Sequence, residues 1–397
     1  MIMLPLLRIH QISNNPTPNG DSTLLQYSDH FRQTNILIDC GIHERAVADY
    51  LTDIDIEKID LLVVSHTDLD HIGGLKEVLS TIDVKSLWVM SIDPLRRFVQ
   101  GYVGFDREKL HFMECMILAH ESIVTAGKRN VKCFSVYEGV KEKVGPFLVE
   151  VLSPPFSFDQ FLNDPRNMER MLATPKGKAY ERFLKESGHL SEDVSTETLA
   201  KSKREVSQDE LGESPQHKNS HPAYNEEHLP QNFNLASRGL LNNVSTVIRI
   251  TCLAGYCPIH VFQPLTMLFP GDLEDWTYLF LKYNEYINTS VLKIPHHGSD
   301  GVKFKDQSLY HFLRPRLSLV FPYPANELPS QDVMTLLARN GLVSCSSLKQ
   351  TAAAKSSSNC CHINNRCAPL DRIVYEISSH GFSFRNGQSI CAGAIRL

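Results

Sequence analysis

The densest chemistry in the chain lies in one stretch, Ser65-His66-Thr67-Asp68-Leu69-Asp70-His71-Ile72-Gly73-Gly74. Two histidines and two aspartates fall within six residues, directly after the apolar run Leu61 to Val64. A buried strand has no structural use for such a cluster, whereas a loop at its carboxyl end is where open α/β sheets place ligands. Imidazole and carboxylate together suit zinc, manganese or iron, and so dense a set could hold two ions. Carboxylates packed this closely also need a cation to be tolerable. Two later segments repeat the layout. Thr266 to Glu274 (TMLFPGDLE) puts Asp272 after an apolar strand and a Pro-Gly turn, and Ser290 to Ser299 (SVLKIPHHGS) puts His296 and His297 after another. Taken alone, Asp272 reads as a helix N-cap and the histidine pair as a surface or core feature. Three strand ends that all carry His or Asp reinforce one another.

The elements that must position these residues are legible on both sides of them. Leu4 to Ile12, Ser22 to Tyr27 and Asn35 to Asp39 read as strands, the second after a turn at Pro18-Asn19-Gly20-Asp21. A short helix at Ala46 to Leu51 precedes a buried strand at Leu61 to Ser65, a helix at Leu75 to Ile82 and a strand at Ser86 to Met90. Residues 146–154 form a strand stopped by Pro154-Pro155. Further strands are predicted at Ser245 to Leu253, Thr266 to Phe269, Ser290 to Ile294 and Leu317 to Phe321, with helices at Trp276 to Tyr283 and Gln331 to Asn340. Arg372 to Ile377 and Gly381 to Phe384 read as a closing strand pair. Strands alternating with helices make this an α/β protein.

Composition sets the outer bounds. The 397 residues carry a net charge of −5, with 42% hydrophobic and 21% charged residues. There is no basic excess of the kind a dedicated nucleic-acid coat carries, and the apolar content is too high for a disordered chain. No apolar run approaches the ~20 residues of a membrane helix, and MIMLPLLRIH is too short and too soon broken by Pro5 for a secretory signal. The ten cysteines are scattered rather than framed, so a reducing cytoplasm is the expected compartment and no membrane the expected setting. Cys40, Cys133 and Cys252 sit on apolar strands and read as packed thiols. Asn359-Cys360-Cys361-His362 with Cys367 matches no known finger spacing.

Length alone suggests two or three domains. The candidate ligands run from His66 to His297, however, on both sides of a polar stretch at 160–235 rich in charges of both signs. One site therefore needs both halves of the chain. The expectation is a single domain over 1–397, interrupted by the 160–235 insertion and by a low-complexity loop at 344–368 rich in Ser, Ala, Asn and Cys. The insertion reads as partly helical and partly disordered, and as either a lid over the site or an arm that docks a protein partner.

The motifs HxDxDHIGG, GDLE and LKIPHHGS, in this order, resemble the metallo-β-lactamase-fold hydrolases, and more narrowly their ComEC/Rec2-type branch. Asn19-Gly20-Asp21-Ser22, ILIDCG at 36–41, VEVLSP at 149–154, Asn242-Asn243-Val244-Ser245 and FLRPRLSLV at 312–320 extend the resemblance over roughly 1–160, 236–345 and the last two strands. It implies a four-layer αββα sandwich with two ions, Zn²⁺ or Mn²⁺, along one edge. His66 and Asp68 would hold one ion, and Asp70 and His71 the other. Asp272 would bridge, and either His296 or His297 would complete the second position while the other faces substrate. Asp70 and His297 are the residues implied nearest the chemistry. Asp39 would orient the His66 loop, with Asp21 and Asn243 on bordering turns. Lys303, Lys305 and Ser299 follow the histidine pair and could contact substrate, although an ordinary surface role suits the lysines at least as well. Two departures stand out. Ser153 occupies the strand end where the wider family often has a third histidine for the first ion, and Leu328 replaces a histidine many relatives carry before the proline matched by Pro329.

The chemistry implied is hydrolysis by a water whose pKa two cations lower towards neutral. The expected substrate is a phosphodiester in nucleic acid or a nucleotide. A second reading is hydrolysis of an ester, thioester or lactam. A third is a partner-binding component in which the metal centre is weak or structural.

Overall fold

The computed structural model describes residues 5–12, 20–90, 107–158, 240–253, 264–304, 307–323, 326–345, 372–378, 381–386 and 389–391. The 160–235 insertion, most of the 344–368 loop, the cysteine-rich stretch within it and Lys305 lie outside these residues. In chain order the strands of the two large sheets begin with β1 (Leu6–Ile12), β2 (Thr23–Ser28), β3 (Gln33–Ile38), β4 (Leu61–Val63), β5 (Ser86–Val89) and β6 (Lys132–Ser135). They continue with β7 (Lys141–Val144), β8 (Phe147–Ser153), β9 (Val247–Cys252), β10 (Leu265–Phe269), β11 (Val291–Lys293), β12 (Leu317–Val320) and β13 (Leu342–Cys345). The last three are β14 (Arg372–Ser378), β15 (Gly381–Asn386) and β16 (Ser389–Cys391). The principal helices are α1 (Ala46–Asp53), α2 (Leu69–Ile72), α3 (Leu75–Thr81), α4 (Arg107–Lys128), α5 (Thr277–Tyr283) and α6 (Gln331–Asn340).

The first sheet has nine strands in the order β16-β15-β14-β1-β2-β3-β4-β5-β6, and the second has seven in the order β13-β12-β11-β10-β9-β8-β7. In both, an antiparallel part adjoins a parallel part. β3, β4, β5 and β6 run parallel, as do β10, β11, β12 and β13.

Alternation along each strand explains the layering. Leu61 and Val63 point into the apolar layer between the sheets, where they meet Phe147, Val149, Ile248, Met267 and Leu319 of the second sheet. Leu62 and Val64 point the other way, onto Val47, Leu51, Leu75, Val78 and Ala119 of α1, α3 and α4. Leu268, Leu292 and Val320 likewise turn outward onto Trp276 and Leu279 beside and on α5, and onto Val333 and Leu337 of α6. Strands buried on both faces read as continuous apolar runs, which is why LLVV and SVLKI lack a polar period. The result is a four-layer αββα sandwich, as expected.

The strand predictions hold to within one or two residues, and the helix at Gln331 to Asn340 is as read. Ser330 caps it by accepting from the Val333 N–H at 3.3 Å. Several elements went unread, the strands β6 and β7 among them. The 22-residue helix α4 packs Cys115, Met116 and Ala119 against the first sheet, and β13 takes in Ser344 and Cys345, the first residues assigned to a low-complexity loop. Cys40 and Cys252 are buried and Cys133 is half-buried, and none of the three is in a disulfide. No helix among the described residues is long and apolar enough to cross a membrane.

Candidate metal centre

Four loops leave the carboxyl ends of β3, β4, β10 and β11, each strand having a parallel neighbour there. They bring Asp39, the His66–His71 cluster, Asp272 and the histidine pair to one edge of the sandwich. Backbone bonds lace the loops together. Asp21 N–H donates to Asp70 C=O at 2.9 Å, Cys40 N–H to His71 C=O at 2.7 Å and Thr246 N–H to Ser65 C=O at 2.6 Å. Gly271 sits where they meet, at φ +58°, and a Cβ there would come within 2.9 Å of the Ser245 and Ser65 side chains. Glycine meets both conditions at little cost.

Asp39 accepts three hydrogen bonds. Its Oδ1 takes the Ser65 N–H at 2.7 Å, and its Oδ2 takes the Ser65 hydroxyl at 2.7 Å and His71 Nδ1 at 2.8 Å. A carboxylate only accepts, so His71 Nδ1 carries the proton and Nε2 is left with a lone pair. His297 is set the same way, because its Nδ1 lies 3.0 Å from the Phe321 carbonyl oxygen. The Ser65 hydroxyl, its own proton committed to Asp39, is 3.1 Å from His66 Nδ1, which turns His66 Nε2 outward as well. His66 Nε2, His71 Nε2 and Asp68 Oδ1 are buried without a hydrogen-bond partner. Buried polar atoms without partners are rare, and the His71 Nε2 lone pair, aimed at the Asp70, Asp272 and His297 donors, fits a cation there.

One donor atom each from Asp70, His71, Asp272 and His297 lie within 4.8 Å of one another. Asp70 Oδ2 is 2.9 Å and Asp272 Oδ2 is 3.2 Å from His297 Nε2, and Asp272 Oδ1 is 3.4 Å from His71 Nε2. Two imidazoles and two carboxylates in a buried corner are a donor set that fits zinc or manganese. His66 lies beside the cluster, its ring centroid 4.0 Å from that of His71, with 3.6 Å between its Nε2 and Asp68 Oδ2, and the Asp68 side chain is about a quarter exposed (26%). Ser153 is buried at the end of β8, where it offers only a hydroxyl.

The electrostatics follow from this crowding. Burial would push the His71 and His297 pKa values down, but the surrounding carboxylates, Asp272 foremost, outweigh it and hold both well above the ordinary histidine value. Burial would raise Asp70, but the imidazoles of His71 and His297 bring it down. For Asp272 the Lys293 ammonium and the same two imidazoles overcome burial. Without an ion, protons and a lysine neutralise the corner.

Of the histidine pair, His297 enters the cluster and His296 does not. Both adopt left-handed φ angles, +46° and +53°, which swing the rings apart to 6.2 Å between centroids. His296 Nδ1 instead lies 3.2 Å from Glu274 Oε1 at the partly exposed rim. Asp21 is buried, with Oδ1 3.4 Å from His297 Nδ1 and Oδ2 3.8 Å from His71 Nε2. Asn243 supports the Asp272 loop through a 3.0 Å bond from the Asp275 N–H to its Oδ1. Ser299 Oγ is spent on the Gly301 N–H at 3.1 Å, and the Lys303 side chain is exposed beyond the loop.

Two neighbours of the cluster were not singled out from sequence. Lys293 is buried at the end of β11, and its Nζ donates to Gly271 C=O at 2.8 Å and to Asp272 Oδ1 at 2.8 Å while pairing with Asp21 Oδ2. A lysine inside SVLKI, an otherwise apolar strand, was the available signal. Tyr323 stacks near His297 at 5.1 Å between centroids and is half-buried.

Residues 18–152 match the sequence model of the family described as the metallo-beta-lactamase superfamily. Over 59 residues the chain is 41% identical to the anti-Pycsar protein Apyc1 of Bacillus phage BSP38, covering 15% of this chain and 22% of that protein. The chain thus spans about a fifth of that curated relative. Among solved structures it is similar to the metallo-beta-lactamase fold protein YhfI from Bacillus subtilis, at 11% identity, with 86% of this chain and 96% of that chain covered and a TM-score of 0.36. It is also similar to a diphosphatase of the PhnP family, at 15% identity, 38% and 57% coverage and a TM-score of 0.23.

Proposed function

We propose that this chain, whose residues 18–152 match the sequence model of the metallo-beta-lactamase superfamily, is a metal-dependent hydrolase acting on phosphodiester bonds in nucleic acid or a nucleotide. The observation that carries the metal-hydrolase part is the convergence of Asp70, His71, Asp272 and His297 within 4.8 Å. A divalent ion, Zn²⁺ or Mn²⁺, held by these groups supplies Lewis-acid polarisation of a substrate oxygen and a water acidified towards neutrality. The protein's share is orientation. Asp39 and the Phe321 carbonyl fix the His71 and His297 tautomers, so both Nε2 lone pairs would be available to hold an ion. Asp70, 13% exposed and thus the most open of the four side chains, is the group best placed to accept a hydrogen bond from the attacking water and orient it. The phosphodiester assignment is supported by the ComEC-type resemblance.

The test is turnover of bis(p-nitrophenyl) phosphate with Mn²⁺ or Zn²⁺. It should fall by about 10³-fold or more in Asp70→Ala. Turnover confined to a p-nitrophenyl ester or a lactam would move the substrate to that class, and metal-replete protein inactive on all three would overturn hydrolysis.

A further inference from the structure

We propose that the centre holds one tightly bound divalent ion, on Asp70, His71, Asp272 and His297, and that the buried Lys293 ammonium supplies the remaining positive charge. The proposal rests on the metal-hydrolase reading above and departs from the two-ion expectation carried by the motif resemblance.

Three observations point to it. First, an ammonium has three N–H donors, and all three of Lys293's are spoken for, on Gly271 C=O, Asp272 Oδ1 and Asp21 Oδ2. Asp272 is the carboxylate a two-ion centre needs as its bridge. Its Oδ1 is held by Lys293 at 2.8 Å, while Oδ2 lies 3.2 Å from His297 Nε2 on the side of the four-donor cluster. Second, the two halves of the His66–His71 motif are unequal. Asp70 and His71 are joined by Asp272 and His297 from the second sheet, whereas His66 and Asp68, 3.6 Å apart, gain no acidic or imidazole group from that sheet within the four-donor cluster. Ser153 ends β8 with a poor ligand for either metal. Third, part of the negative charge is already met without an ion, because the Lys293 ammonium pairs with both Asp21 and Asp272 among the carboxylates around His71 Nε2.

The experiment counts ions on the full chain. Protein loaded with Mn²⁺ and passed through a chelator-free sizing column is analysed by elemental mass spectrometry, with electron paramagnetic resonance to tell isolated from coupled Mn²⁺. One ion per chain with an uncoupled spectrum is expected for the wild type. His66→Ala should keep that ion and His71→Ala should lose it. Two retained ions, a coupled spectrum, or loss of the ion in His66→Ala would overturn the single-ion centre and leave the hydrolase reading standing. A wild type that retains none sinks both. Lys293→Met, if its circular dichroism matches the wild type, should retain more than one Mn²⁺ per chain while Lys293→Arg stays at one. A count of one in the Met variant removes the lysine from the proposal.

Discussion

His10 in β1 and His71 in α2 are both sealed from solvent, at 4% and 0% exposure, and each leaves Nε2 without a hydrogen-bond partner. Each also ties Nδ1 to one oxygen at 2.8 Å, Tyr50 Oη for His10 and Asp39 Oδ2 for His71. Their titration runs in opposite directions. Burial dominates at His10 and lowers its pKa to about 4 against the upward pull of the neighbouring Gln26 side chain, the nearby Arg8 and Glu376 acting against each other. At His71 the carboxylates of Asp272, Asp39, Asp70 and Asp21 overcome burial and raise it. Burial and an orphan nitrogen are therefore shared by a structural histidine and by one that we propose as a ligand. What separates them is convergence, because the His71 carboxylates arrive from three other loops.

The largest expected effect sharpens this contrast. His71→Ala should lose bound metal altogether and activity by about 10³-fold or more, whereas His10→Gln should keep the metal content of the wild type. Elemental analysis of the two variants side by side reads it, and metal loss in His10→Gln would break the comparison.

The second effect belongs to His10. A folded pKa below the unfolded value means the unfolded chain binds the extra proton first. Stability should therefore fall by about 2 kcal/mol between roughly pH 7 and pH 4.5, on top of whatever the carboxylates contribute. Denaturant titrations of wild type and His10→Gln across that range should differ by this slope.

Asp39→Asn should weaken metal binding about 10- to 100-fold, the usual range for a residue that orients a ligand imidazole. The smallest effect is expected at Asp68→Asn, under about 10-fold in affinity for the tight ion, because Asp68 belongs to the open half of the loop. Competition with a metallochromic chelator measures both, and a loss at Asp68 equal to that at Asp39 would erase the difference between the two halves.

How much of this was legible follows the same line. The four layers came through because strands buried on both faces leave unbroken apolar runs, and the His66–His71 cluster because its residues are adjacent. Asp39 was readable as a strand-end acid. The choice between His296 and His297 was not, since two identical side chains are parted only by a left-handed turn. Lys293 was passed over because its partners, Asp21 and Asp272, lie 272 and 21 residues away. Helix α4 went unread because its apolar face is interrupted by charged and polar residues along its length, a pattern that only the partner surface of the first sheet resolves.

The pairing of β1 has a consequence for how the molecule is made. β1 lies between β2 and β14, with Leu6 opposite Ser28 on one side and Ser378 on the other. The first partner emerges from the ribosome almost at once, while the second comes after every donor of the metal corner. Closing so long a loop costs little more entropy than closing a medium one, but such distant contacts form slowly. Throughout synthesis a nascent chain would therefore carry β1 as a bare, apolar sheet edge, open to pairing with another chain. Chaperone demand, more than final stability, is where that strand order would be felt.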